Sequence, residues 1–186
     1  MLHMSEELIA KGYKQSVYQM MKKLLNPKET EILSNYIGNI VMITIEKVCF
    51  LKLKIKIDQS SSNIELLTLA LSKMVKCTLP STLQGLALLF SRFIIRSPND
   101  VLSYLTNAQI DTRMGLKVLM DRWLLHQPKF IGRLTKNTTY LALTKLFTLN
   151  DSRLETLLVI GYDPSHTQKS PEVSTPLKVL STIIRC

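Results

Sequence analysis

The sequence contains few glycines and prolines, the residues that a loop-rich all-β chain needs at its many turns. Of 186 residues, 6 are glycine and 7 are proline. Because turns between short strands use these residues repeatedly, this scarcity disfavours a β-sandwich or barrel. Hydrophobic residues make up 46% and charged residues 20% of the chain, as in packed soluble proteins and unlike disordered ones. We therefore expect an all-α protein with a hydrophobic core.

Cysteine and histidine are also scarce, with 3 of each. The cysteines are odd in number and widely spaced, which excludes a disulfide framework and a zinc-ligand pattern and is typical of a reducing compartment. No histidine has a cysteine or carboxylate at metal-ligand spacing, so we expect neither a metal nor a cofactor. The residues concerned are Cys49, Cys77, Cys186, His3, His126 and His166.

Long apolar runs are absent. The longest uninterrupted run, residues 85–90, is far shorter than the roughly 20 residues of a membrane-spanning helix. The first residues lack the cationic region and apolar core of a secretory signal. From these features we expect a soluble, intracellular protein without a membrane partner.

No catalytic motif is recognisable, neither a glycine-rich phosphate loop nor a nucleophile elbow. Asp163, Ser165 and His166 stand close together in sequence, but the members of a catalytic triad come from separate elements, and a turn is the better interpretation. Trp123 could be an anchor for a partner, although its helical phase favours a core position. The sequence predicts that the protein is not an enzyme and identifies no partner-binding residue.

The chain is rich in positive charge, with a formal net charge of +10. This charge admits nucleic acid as a partner. However, residues 1–93 and 94–186 each contain 12 basic and 7 acidic residues, and the densest basic element is only Lys52, Lys54 and Lys56. A basic helical module that binds nucleic acid therefore stays as the alternative hypothesis.

Apolar residues recur at helical spacing along most of the chain. Helices are predicted over residues 5–26, 29–48, 64–75, 82–96, 98–105, 111–127, 137–149 and 175–186, with a further short helix possible within 129–134 and another within 151–160. The predicted caps are Ser5, Ser62 or Asn63, Ser81 or Thr82, Ser97, Asp111 and Asn137. The predicted inward faces include Leu83, Leu86, Ala87, Phe90, Phe93 and Ile94 in one helix, Leu116, Leu119, Met120, Trp123 and Leu124 in another, and Tyr140, Leu143, Leu146 and Phe147 in a third.

Two segments break this pattern. Residues 50–57 alternate strictly between apolar side chains and lysine, but a lone strand has no ladder partner, so we predict an irregular crossing over residues 50–63. Residues 161–174 are polar and twice interrupted by proline, which predicts a linker. His126 lies at the end of its helix, where a cationic imidazole would also complement the helix dipole.

The helices fall into about three to four pairs at a period of forty to fifty residues, which is typical of HEAT or armadillo-like repeats in an α-α superhelix. Residues 1–160 would form the stacked pairs, and a further repeat would begin at Thr175. Because the helical pattern is still running at Cys186, we expect the stack to belong to a longer one. A compact helical bundle is the alternative architecture.

Much of the chain also resembles the C-terminal half of importin-β-type nuclear transport receptors. The resemblance lies in the order of packing and turn residues over about residues 14–186. These are Leu24-Leu25-Asn26-Pro27, Tyr36-Ile37-Gly38, Leu71-Ser72-Lys73-Met74, Gln84-Gly85, Leu89-Phe90-Ser91-Arg92, Trp123, Leu141-Ala142-Leu143-Thr144-Lys145-Leu146 and Thr175-Pro176-Leu177.

This resemblance implies a protein-binding HEAT-repeat scaffold that carries basic cargo, such as core histones or ribosomal proteins, through the nuclear pore. It further implies nucleoporins and the GTP-bound form of Ran as partners, and residence in both cytoplasm and nucleus. Nothing in the chain resembles the N-terminal repeats that engage Ran in this family, so a segment of a receptor is expected.

Overall fold

A computed structural model of the chain describes residues 14–26, 28, 61–161 and 172–184. Helix accounts for 77% of the interpretable residues, which confirms the all-α prediction. The helices are α1 (Lys14–Leu25), α2 (Ser61–Lys76), α3 (Pro80–Arg96), α4 (Pro98–Asn107), α5 (Gly115–His126), α6 (Arg133–Thr148), α7 (Ser152–Glu155) and α8 (Thr175–Ile184), with a 3-10 turn at Gln127–Lys129. The predictions for residues 29–60, and those for Ser5 and for Asp163, Ser165 and His166, lie outside the described ranges.

Two prolines fix where helices begin. Pro80 and Pro98 each stand at the first position of a helix, α3 and α4. Proline suits this position because its missing N–H would have no partner inside the helix and its φ is already helical. Ser97 precedes α4 as predicted, but its side chain makes no capping hydrogen bond. The prolines, rather than capping side chains, therefore mark these boundaries.

The other predicted caps that fall on described residues are wrong. Helix α2 begins at Ser61, α3 follows Leu79 and α6 follows Gly132, so each helix begins before the residue proposed as its cap. The reason at α6 is that Gly132, at φ 86°, turns the chain into the helix without a capping side chain. The misplaced caps are Ser62 or Asn63, Ser81 or Thr82, and Asn137.

Short strands replace two predicted helical stretches. Asp111 does not begin a helix but lies at φ 55° in the turn between β1 (Gln109–Ile110) and β2 (Arg113–Met114), which pair antiparallel. Likewise β3 (Leu158–Ile160) pairs antiparallel with β4 (Glu172–Ser174). The helix predicted within residues 151–160 is therefore correct only for α7. The predicted linker, residues 161–174, ends in a strand at residues 172–174. Strands of two or three residues are too short to show a period-2 pattern.

The helices contact one another in two rows. In the first row α1 packs on α2, α2 on α5, and α5 on α8. In the second row α3 packs along α6, which in turn contacts α8. All predicted inward residues of α3 and α5 are buried, whereas Phe147 of α6 is 37% exposed and its inward assignment is wrong. The rows share one core, because α2, α3 and α5 contact each other.

Cations tie consecutive helices of each row together. Lys73 Nζ of α2 donates to Leu24 O at 2.7 Å, at the end of α1. Lys145 Nζ of α6 donates to Ile95 O at 2.6 Å, at the end of α3. A cation at a helix C-terminus satisfies carbonyls that lack an intrahelical partner and faces the negative end of the dipole. Each helix end is thus covered by the next helix of its row.

Arg122 of α5 repeats this arrangement at the end of α2. Its Nε donates to Met74 O at 3.0 Å, and its Nη2 donates to Cys77 O. The three donors follow the carbonyls of Leu24, Met74 and Ile95 by 49, 48 and 50 residues. Similar separations of this kind are the pattern that stacked helical repeats of about fifty residues would produce.

Candidate partner-binding groove

The described part of the chain contains no group of three His, Cys, Asp or Glu side chains that could hold a metal ion. Cys77 is buried and its Sγ donates to Met74 O at 3.6 Å, and His126 ends α5. The other two cysteines and the other two histidines lie outside the described ranges. Among the described helices, none is long and apolar enough to cross a membrane.

Trp123 is a core residue, as its helical phase predicts. Its side chain is 0% exposed, and its Nε1 donates to Gln127 Oε1 at 2.6 Å. Gln127 Nε2 in turn donates to Thr139 Oγ1 at 2.8 Å. This buried chain of hydrogen bonds joins α5 to α6 and satisfies the polar atom of the indole. Trp123 therefore has no free surface with which to anchor a partner.

The surroundings of His126 oppose protonation of its imidazole. Burial, together with the positive charges of Arg122 and Lys129, holds its pKa below the ordinary 6.5. Its Nδ1 is buried without a hydrogen-bond partner. Desolvation and like charge both oppose protonation, and here they act against the favourable dipole. The imidazole is therefore neutral at physiological pH.

We expect His126 to contribute to a loss of stability in acid. The pKa of His126 is lower in the folded protein than in the unfolded chain. The stability associated with its neutral form is therefore fully present above the unfolded pKa of about 6.5 and is lost as pH falls towards the folded pKa. His126→Gln should therefore lose less stability than the parent between about pH 7.5 and about pH 5, measured as the urea midpoint. Parallel pH profiles for the two proteins would contradict this expectation.

Cations other than the three that cover helix ends form ion pairs with carboxylates. Lys117 pairs with Glu172 at 2.9 Å, Lys22 with Glu65 at 2.5 Å and Arg153 with Asp151 at 2.6 Å. Lys117 Nζ also donates to Leu158 O. These cations make contacts within the fold, so their positions are set by internal partners.

A groove opens where α5, α6, α7 and the start of α8 meet. Its volume is about 220 Å³. Pockets for cofactors and drug-sized ligands start at about 300 Å³, so this groove is suited to one or two side chains of a partner. Its lining is mostly apolar and consists of Met120, Leu146, Phe147, Asn150, Asp151, Leu154, Glu155, Thr175, Pro176 and Val179.

Two carboxylates stand among the lining residues. Asp151 caps α7 and accepts hydrogen bonds from Arg153 Nε at 2.8 Å and Nη2 at 2.6 Å. These hydrogen bonds from Arg153 lower the pKa of Asp151. Glu155 is exposed, and no cation of the described residues pairs with it. Glu155 is thus the carboxylate of the groove that a partner's cation can reach.

An exposed apolar stripe on α8 lies beside the groove. Leu177, Leu180 and Ile184 are 59%, 39% and 72% exposed and follow one another at spacings of three and four residues, which places them on one face of the helix. Leu180 stands one turn after Pro176 of the groove. Large apolar side chains clustered on a surface are typical of interaction sites.

Sequence reasoning did not find the groove. The amphipathic pattern placed Phe147 inward, but its side chain lines an opening between elements distant in sequence. Periodicity shows which face of a helix is apolar, not whether a neighbour covers all of that face.

Comparison with models of known protein families gave no match.

Proposed function

We propose that the chain is a protein-binding scaffold of HEAT-like repeats. The observation that carries this proposal is the recurrence of cation-to-carbonyl contacts at separations of 48 to 50 residues, the property expected when equivalent helices of successive repeats stack. The groove and the exposed α8 stripe supply surfaces on which a partner could bury apolar side chains.

Within this class, we further propose an importin-β-type nuclear transport receptor segment, most like the C-terminal repeats of importin nine. The support for this narrower proposal is the ordered sequence resemblance together with the all-α fold. Its partners would be basic nuclear cargo such as core histones, the GTP-bound form of Ran, and nucleoporins. It would act in both cytoplasm and nucleus.

A binding assay with purified components tests this function. We expect the immobilised full chain to retain purified core histones and to retain much less of an acidic protein of similar size. Pull-down from cell extract followed by mass spectrometry should recover nucleoporins and basic nuclear proteins. Failure to bind histones together with absence of these proteins from the pull-down would contradict the proposal.

The alternative function is nucleic-acid binding, which rests on the net charge of +10. The internal contacts of Lys73, Arg122, Lys145, Lys117 and Arg153 count against it. If it held, affinity for duplex DNA would fall steeply with salt, because phosphate contacts release counterions. Absence of DNA and RNA binding at low salt would eliminate it.

A further inference from the structure

We infer that the outer side of α6, together with the turn before it, binds an acidic amphipathic helix of a partner protein. This region, here called the α6 surface, consists of three cations and three apolar side chains, which are Lys129, Arg133, Lys136, Ile131, Leu134 and Leu141. The inference goes beyond the proposed function, because the cargo proposed there is basic and has the same sign of charge as this surface.

The charge around the α6 surface is positive over a long stretch of sequence. Residues 122–150 contain 5 lysines and arginines and no aspartate or glutamate. The two helices that pack along α6, α3 and α8, contain no acidic residue either. Because none of these segments supplies a carboxylate to offset the cations, the complementary partner is one that carries negative charge.

Three of these five cations are not used by the fold. Arg122 and Lys145 donate to backbone carbonyls. In contrast, Lys129, Arg133 and Lys136 are exposed and form no ion pair with any described residue. Arg133 and Lys136 also lie in the first turn of α6, where a positive charge opposes the helix dipole. Stability therefore does not account for these cations, whereas contact with an acidic partner does.

The exposed apolar side chains of the α6 surface define the shape of the partner. Ile131, Leu134 and Leu141 are 73%, 74% and 56% exposed. Leu134 and Leu141 are seven residues apart, which places them on one side of the helix and two turns from each other. A second helix lying along α6, with apolar residues at the same spacing, would cover both leucines.

A protein partner fits this surface better than a membrane or a nucleic acid does. Asn137 and Thr144 stand one turn before and one turn after Leu141 and are exposed, so a bilayer that covered the leucines would also bury these polar groups without hydrogen bonds. Nucleic acid would reach the cations through its phosphates but would leave Ile131 and Leu134 without an apolar surface to cover them.

A designed peptide of about 20 residues, long enough to form a helix, is the probe. Its leucines are alternately three and four positions apart, and glutamates fill the flanking positions. We expect the fluorescein-labelled peptide to bind the full chain in fluorescence anisotropy. A copy with lysine in place of every glutamate should bind about tenfold more weakly or less, because only its charge is inverted. A copy in scrambled order should also bind weakly, because its leucines no longer share one side.

Charge variants of the full chain locate the binding. Arg133→Gln combined with Lys136→Gln should weaken the acidic peptide about tenfold, from the loss of two exposed ion pairs. The matched control is Lys23→Gln combined with Arg113→Gln, which removes the same charge from exposed positions of α1 and β2. Because distant exposed charges are screened by salt, this control should change affinity by less than about twofold.

An apolar variant tests the second part of the surface. Leu134→Gln should weaken the acidic peptide about tenfold, because binding no longer buries a leucine side chain. Leu158→Gln, which replaces an exposed leucine of β3, is its matched control and should leave affinity unchanged. Since all the replaced side chains are exposed, each variant should keep the urea midpoint of the parent, which separates an effect on binding from an effect on folding.

The inference is overturned if the acidic peptide does not bind, if the lysine peptide binds equally well, or if Arg133→Gln with Lys136→Gln weakens binding no more than the control does. Phosphatidylserine vesicles that bind the parent but not this double variant, without binding of the acidic peptide, would assign the surface to a membrane. The same result with duplex DNA would assign it to nucleic acid. If the parent binds the acidic peptide but not histones, the proposed function fails alone; if it binds histones but not the peptide, only this inference fails.

Discussion

Replacing Trp123 with alanine is expected to lower the free energy of unfolding by about 4 kcal/mol. The indole is fully buried and is the largest side chain in the core, so its removal loses apolar contact and leaves a cavity that a packed interior closes only in part. The loss should appear as a lower urea midpoint in far-UV circular dichroism.

A matched control lies on the same helix. Leu125 is 41% exposed, so Leu125→Ala should change stability by only about 0.5 kcal/mol. Trp123→Phe gives a second comparison, since it keeps most of the apolar area but leaves Gln127 Oε1 without its donor, at a cost of about 1–2 kcal/mol. A loss of less than about 1.5 kcal/mol in Trp123→Ala would contradict the assignment of Trp123 to the centre of the core.

The core could be predicted from the sequence because it depends on a periodic pattern. Leu83, Leu86, Phe90 and Ile94 recur at helical spacing, and all are buried. Burying one face of a helix is a local property that each helix displays in its own sequence. The same pattern correctly placed Trp123 in the core, and Pro98 stands at the first position of its helix as predicted.

Helix starts and strands could not be predicted with the same success. A serine or asparagine near a helix start predicts a cap, but Gly132 and Pro80 fix the starts through backbone conformation instead. The strand at Glu172–Ser174 forms because Leu158–Ile160 lies beside it. Such pairing is set by tertiary contacts rather than by the local sequence.

The groove and the helix-end contacts were missed for a related reason. Net charge counts Lys73, Arg122 and Lys145 as surface cations, yet each reaches a carbonyl about fifty residues away. One signal was present in the sequence, namely a basic residue 48 to 50 positions after a residue in the last turn of each of three predicted helices. This spacing indicates a recurring contact only if a repeat period is assumed.

Arg122→Met is expected to lower the free energy of unfolding by about 2 kcal/mol, which is the scale of hydrogen bonds from a charged donor. Methionine preserves much of the apolar stem but leaves Met74 O and Cys77 O without the guanidinium. If this contact couples one repeat to the next, the loss should be concentrated at the end of α2. The amide of Cys77, which donates to Lys73 O at 2.8 Å, should then exchange its hydrogen faster.

Arg113→Met is the matched control, because Arg113 is exposed on β2 and its replacement should change stability by only about 0.5 kcal/mol. Equal unfolding free energies for Arg122→Met and the parent would show that the contact contributes nothing to stacking. A loss of stability without faster exchange at Cys77 would mean that Arg122 acts within its own helix. Coupling between repeats would require both a loss of stability in Arg122→Met and faster hydrogen exchange at Cys77, because in a stack of repeats each unit is stabilised through its interface with the next.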